Sequence, residues 1–302
     1  MIEAVPLDPA SKTALQQLVE RHILERRLTA GVHPAAAARV AARIAANTTS
    51  GESHAWSLRD GETQVGTAWA HLRDGRSYLA DLDVPVADAA MSLAAVVVRL
   101  SQAGAELLAV DVPTGDEVAR TAVGSVMGPR TSLQSTQMQL DLVPPVDAPP
   151  RVELRPMSDK AYSAYRAQMV STYAQDLFVS GAFLDLADAM RASAQQTDEL
   201  LPDGLDSPGQ HLWTAYDGDT ELGVLWIWAD GVTAFIYDIE VLATQRRQGY
   251  GREVLDAGAR AAQGLGAEVL GLNVFGNNEG ARTLYEQAGF ATTEQSYRIS
   301  LV

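Results

Sequence analysis

With 302 residues, 47% of them hydrophobic, and a formal net charge of −15, the chain can fill two cores of about 150 residues each and is too acidic for non-specific nucleic-acid binding. No apolar run approaches the ~18 residues of a membrane helix, and the first residues lack a basic segment followed by an apolar one; the expectation is a cytoplasmic, soluble protein with no membrane partner. Cysteine is absent and the five histidines fall at no metal-ligand spacing, which excludes disulfides, thiolate metal sites and a cysteine nucleophile and leads us to expect no metal.

Asp8-Pro9 reads as a helix start, followed by an apolar face of Leu15, Leu18, Val19 and Ile23. A second helix follows His33-Pro34 and carries Val40 and Ile44. Strand-like segments at 54–58, 63–72 and 78–84 are separated by Asp60-Gly61 and Asp74-Gly75, the pattern of a meander. A helix over 88–102, a strand over 106–112, a short helix from Asp116 and an alternating strand through Met138, Leu140 and Leu142 complete the first half. Residues 143–150, Val-Pro-Pro-Val-Asp-Ala-Pro-Pro, read as a linker.

The same order then recurs. At a shift of 157 positions His54 meets His211, Trp56 meets Trp213, Asp60-Gly61 meets Asp217-Gly218, Gly66 meets Gly223, Trp69 meets Trp226, and Asp81-Leu82-Asp83-Val84 meets Asp238-Ile239-Glu240-Val241. Beyond that point the shift is 162: residues 104–108 meet 266–270, and Ala119-Arg120-Thr121 meets Ala281-Arg282-Thr283. An unbroken register of this kind is the signature of a duplicated domain. We expect domains at 1–142 and 151–302 joined by the 143–150 linker.

The change of shift means that the second copy carries five extra residues after Val241, inside Ala-Thr-Gln-Arg-Arg-Gln-Gly. There an apolar strand beginning near Phe235 ends, a loop with Gly249 and Gly251 follows, and Val254, Leu255 and Ala259 open a helix. Unpaired amides at such a helix start, with the positive end of its dipole behind them, suit a phosphate group. Arg246, Arg247 and Arg252 add positive charge, whereas the first copy has Ala87 and Ala89 opposite the two glycines and Asp116 and Val123 opposite Asn278 and Tyr285. Only the second copy is expected to hold the phosphate-bearing ligand.

Arg246-Arg247-Gln248-Gly249-Tyr250-Gly251 resembles the phosphate loop, Arg/Gln-x-x-Gly-x-Gly/Ala, of the GNAT acyltransferase superfamily. Asn278, Ala281, Leu284-Tyr285 and Gly289-Phe290 match that family's later Asn-x-x-Ala-x-x-Leu-Tyr-x-x-x-Gly-Phe signature, with a strand over 268–274 between the two motifs. The resemblance covers 151–302, and the repeat extends the fold, though not the site, to a degenerate first copy. It implies an α/β (α+β) fold: a tandem duplication in which each copy is a mixed, mostly antiparallel sheet flanked by helices.

The resemblance also implies acetyl-CoA as acyl donor. Backbone amides from Gln248 to Arg252 would take the pyrophosphate, and the exposed backbone of Ile239 to Val241, at a bulge where two strands part, would pair with pantetheine. An attacking amine must lose a proton, and Glu240 is the leading base with Asp238 second; the competing reading is a carboxylate that only pairs with Arg246 or Arg247. Tyr285 would protonate the departing thiolate, the Val241 amide could hold the developing oxyanion, and Asn278 would cap its helix and touch CoA. The acceptor cleft is expected over 158–201, with Tyr173, Asp176, Glu199, Trp226 and Trp228.

The expected activity is N-acetylation of a small-molecule amine by direct transfer in a ternary complex. A mycothiol-synthase-like enzyme, a protein N-acetyltransferase and a non-catalytic acyl-CoA-binding module are the alternatives.

Overall fold

The computed structural model describes residues 1–47, 53–143, 151–183, 185–276 and 278–302, so all of the expected linker except Val143 lies outside the described residues. The chain forms two compact units, one of Met1–Thr136 with Thr292–Val302 and the other of Gln137–Ala291.

In the first unit, β1 (Ile2–Pro6) precedes α1 (Pro9–Thr29) and α2 (Pro34–Asn47). Asp8 caps α1, its side chain accepting the Ser11 amide at 2.9 Å with Pro9 just inside the helix, as the Asp-Pro pair predicts. The meander follows as β2 (Ser53–Asp60), β3 (Thr63–Arg73) and β4 (Arg76–Asp83), then α3 (Ala89–Gln102), β5 (Leu107–Pro113), α4 (Glu117–Gly124) and β6 (Thr131–Asp141). β6 runs across the unit boundary. Strands β4 and β5 are parallel, Arg76 to Leu79 opposite Leu107 to Val110, which requires a crossover; α3 supplies it. Leu93, Val96 and Leu100 of that helix are wholly buried with Leu58, Leu79, Leu108 and Val110.

The second unit repeats the plan with β7 (Glu153–Pro156), α5 (Asp159–Val179), α6 (Leu186–Leu200), β8 (Gln210–Asp217), β9 (Thr220–Ala229), β10 (Thr233–Val241), α7 (Tyr250–Gly264), β11 (Val269–Phe275) and α8 (Glu279–Gln287). Its strand order is β11-β10-β9-β8-β7, all antiparallel except β10 with β11, which α7 connects. Leu225, Ile227, Val254, Leu255 and Leu270 form the centre of its core.

The tandem duplication holds down to irregularities of backbone. In the first unit β2 slips register at Leu58/Arg59 and β4 skips Ala80 opposite Trp69/Ala70; in the second the slip falls at Ala215/Tyr216 and the skipped residue is Tyr237. Each is the same position at a shift of 157. His54 stacks on Trp56 at 5.8 Å, and His211 on Trp213 at 5.5 Å.

The units do not part as the sequence suggests. The last strand, β12 (Ala291–Ser300), pairs antiparallel with β5, Glu294 opposite Pro113 through Ser300 opposite Leu107, so residues 292–302 belong with the first unit. In the strand order β12 lies between β5 and β6. Among the described residues no helix is long and apolar enough to cross a membrane.

Candidate active site

Strand β10 pairs with β9 along its whole length, but with β11 only over Thr233 to Ile236. At Tyr237 a bulge turns β10 away, so that the edge from Asp238 to Val241 has no ladder partner in β11. The Ile239 amide is taken by the Asp238 carboxylate and the Val241 carbonyl by Arg246, but the remaining outward groups of such an edge can bind an extended, amide-bearing ligand as a strand would. Gly223 makes this course possible: a Cβ there would lie 1.9 Å from the Glu240 carbonyl oxygen. Gly66, its counterpart, would meet the Asp83 carbonyl at 2.0 Å, so both copies were built around the same splay.

Beyond Val241 the chain makes one tight turn, Ala243–Gln245, and reaches α7 through two residues of positive φ, Arg247 at 60° and Gly249 at 86°. Gly249 is the N-cap of α7 and offers no side chain to cap it, leaving the first helical amides directed outward. The Arg252 amide is an exception, since it already donates to the Gly249 carbonyl at 3.1 Å. The side chains here secure the loop: Arg246 Nε donates to the Val241 carbonyl at 2.9 Å, Gln248 to the Thr244 carbonyl at 3.2 Å, and Arg252 reaches Asp256 at 2.9 Å and the Gln287 carbonyl at 2.8 Å. The Tyr250 ring is buried, its hydroxyl donating to Asp217 at 2.9 Å and accepting from Arg151 at 3.1 Å. Shape and backbone, rather than these side chains, face the open end of the loop.

Ile239 and Val241 pack against the core beneath α7. The alternation of a strand therefore sends Asp238 and Glu240 to the opposite face, toward α5. There Tyr165 donates to Asp238 at 2.8 Å and Gln168 donates to Glu240 at 3.2 Å, while Arg246 lies 3.6 Å from Glu240. Burial, opposed by the Tyr165 hydrogen bond and reinforced by the charges of Glu240 and Asp176, raises the Asp238 pKa to about 6. Burial raises Asp176 as well. Three carboxylates thus converge where two of them resist ionisation, a field that attracts a cation.

Tyr285 enters from α8, buried to 7% exposure beside Phe290 with rings 5.9 Å apart. Its hydroxyl has no hydrogen-bond partner among the described residues. Burial and the charge of Asp238 lift its pKa to about 12, which keeps the phenol protonated and able to donate. Asn278 caps α8, its side chain accepting the Ala281 amide at 3.1 Å.

The remaining acceptor residues are divided. Tyr173 bonds Gln196 at 3.1 Å and lies 6.2 Å from the Phe275 ring. Trp226 is core, 3% exposed with its indole N–H on Gln210, whereas Trp228 is only half-buried. Glu199 takes a hydrogen bond from Gln195 on its own helix. Tyr165, which holds Asp238, was not singled out in the sequence, because its partner lies 73 residues away.

In the first unit the corresponding groove is closed. Arg26 of α1 donates to the Leu82 carbonyl at 2.8 Å and lies 2.9 Å from Asp81 and 3.4 Å from Asp116. These three residues correspond to Ile239, Asp238 and Asn278, so one guanidinium occupies the ground left open in the second unit. α3 follows directly on a short turn, Val86–Asp88, with no glycine loop. Among the described residues no group of histidine, aspartate and glutamate is placed to hold a metal ion.

The profile of the acetyltransferase (GNAT) family matches residues 179–290. The uncharacterized N-acetyltransferase YycN of Bacillus subtilis (strain 168) is 36% identical over 148 residues, 47% of this chain and 94% of that protein. The uncharacterized N-acetyltransferase YdgE of the same organism is 31% identical over 153 residues, 49% of this chain and 97% of that protein. The solved GCN5-related N-acetyltransferase from Sphaerobacter thermophilus aligns with 99% of this chain and 96% of its own at a TM-score of 0.57 and 15% identity, a likeness of fold.

Proposed function

Because the chain belongs to the GNAT acetyltransferase family and is an acyltransferase, we propose that its second unit binds acetyl-CoA and transfers the acetyl group directly to the amine of a small, cationic molecule in the cytoplasm. The observation that carries this reading is the unpaired edge from Asp238 to Val241 running straight into the amide-lined start of α7. The edge pairs with pantetheine, and the amides of Gln248 to Gly251 take the pyrophosphate. This puts the thioester between Asp238 and Tyr285.

An alkylamine arrives protonated and cannot attack until it loses that proton. Asp238 accepts it, directly or through one water; with a pKa near 6 it is ionised at neutral pH yet basic enough to compete. The nitrogen lone pair then forms the C–N bond, the Val241 amide faces the developing oxyanion, and the C–S bond breaks as Tyr285 passes its phenolic proton to the sulfur; the second proton, shed by the nitrogen as the amide forms, returns to the tyrosinate directly or through water. Glu240, anchored by Gln168 and Arg246, and Asp176 hold the cationic substrate in line. The rate gain comes from alignment of amine and thioester. No acyl-cysteine route exists, since the chain has no cysteine.

A panel of primary and secondary amines offered with acetyl-CoA, with free CoA thiol as the readout, tests this proposal. We expect amine-dependent thiol release, strongest for amines bearing a second positive charge. Bound acetyl-CoA with no amine-dependent release across the panel would overturn it.

A further inference from the structure

The first unit carries a feature that its closed groove does not explain. On one face of its sheet a cavity of about 190 Å³ is lined by Arg76, Ser77, Tyr78, Leu107, Ala109, Gln134 and Arg298, far more than the ~10–15 Å³ that admits one water. The sheet builds this wall by register: Tyr78 lies opposite Ala109 and Ala109 opposite Arg298, so the small alanine leaves room between two long side chains.

Arg298 is only 8% exposed, yet among the described residues its guanidinium has neither a carboxylate partner nor a hydrogen bond. The one charged group that acts on it appreciably is another cation, Arg76, and burial together with that repulsion lowers the Arg298 pKa to about 10. Arg76 stands at the rim, with Asp74 as its counter-charge. Other polar groups of the wall are spent, Ser77 on the Leu107 carbonyl at 2.6 Å and Tyr78 on Asp111 at 2.9 Å. The Gln134 side chain makes no hydrogen bond among the described residues.

Burying an unpaired guanidinium is costly, and setting a second beside it adds to the cost. In a protein of net charge −15 a countercharge would have been easy to supply. Two guanidinium forks and an amide donor converging on an open cavity match the donor pattern that holds a phosphoryl or carboxylate group in bidentate fashion. We propose that the first unit is a binding module for a small oxyanion, held between Arg298 and Arg76 with Gln134 as a third donor. Every residue lining the cavity belongs to the first unit.

The test uses the full chain carrying Gly249→Trp, which closes the phosphate loop of the second unit, and reads the thermal midpoint in inorganic phosphate, in succinate and in chloride at matched ionic strength. Phosphate or succinate is expected to raise the midpoint by roughly 2–4 °C over chloride, and the stronger of the two identifies the site as phosphoryl- or dicarboxylate-selective. Adding Arg298→Gln should remove the response. Arg76→Gln, at an exposed position, should weaken it in this background, and introduced alone into the parent chain with Gly249 intact it should leave acetyl-CoA turnover unchanged. No oxyanion response in the parent, or one that survives in the Arg76→Gln/Arg298→Gln double variant, would overturn the proposal.

Discussion

Replacing Asp238 by asparagine separates the two carboxylates that could serve as base. Asparagine keeps the shape and still accepts the Tyr165 hydrogen bond, but it cannot take a proton. Loss of a positioned general base lowers the rate by about 10²- to 10⁴-fold, so kcat/KM should fall by that factor, and the acidic limb of its pH profile, with midpoint near the Asp238 value of about 6, should vanish. The same shift fixes the effect on stability. A carboxyl raised from 3.8 to about 6 on folding favours the folded state while protonated; that contribution is complete below pH 3.8 and is lost as the pH rises through 6. At ~1.36 kcal/mol per unit, about two units amount to ~3 kcal/mol. Asp238→Asn should therefore be more stable than the parent at pH 7 by up to ~3 kcal/mol and no more stable at pH 3, measured by thermal melts across that range. Loss of activity without loss of stability is the signature expected. If the acidic limb and kcat/KM survive in Asp238→Asn and disappear in Glu240→Gln, the assignment of the base is wrong.

Three other substitutions probe separate parts of the account. Tyr285→Phe should lower kcat by about 10²-fold or more while acetyl-CoA affinity in a binding titration holds; unchanged turnover removes its acid role. Gly223→Ala places a methyl group against the Glu240 carbonyl and should cost about 1–3 kcal/mol in denaturant unfolding, with a fall in kcat/KM because β10 must move. Among the described residues, Arg26→Ala leaves Asp81, 2% exposed, with only His22 at 3.2 Å and Asp116 with only the Ala119 amide at 2.9 Å, and should destabilise the first unit by about 1–3 kcal/mol with kcat retained; a melt unchanged from the parent would show that the guanidinium is not what closes that groove.

The duplication was readable because turns and tryptophans repeat at fixed spacing, and sheet geometry enforces the same residues at the same irregularities. The strand–loop–helix junction at Gly249 was readable because an apolar run, a glycine-bearing polar loop and a helical period follow one another there. The two short strands β1 and β7 were missed: they are edge strands of 5 and 4 residues ending in Pro6 and Pro156, too short to show alternation and closed by the residue that breaks a ladder. The burial of Asp238 was not legible either. It depends on the packing of Tyr165 from α5, 73 residues away, which does not mark itself in sequence. The closure of the first groove had the same character, since Arg26 and Leu82 are 56 residues apart. The pairing of β12 with β5 was hidden for a similar reason: the end of the chain reads as the last strand of the second copy.

The central claim is that one unit of the pair holds acetyl-CoA and the other cannot. Isothermal titration of the full chain with acetyl-CoA tests it most directly: we predict a single site per chain, abolished by Gly249→Trp. Absence of binding, or a stoichiometry of two, would contradict it.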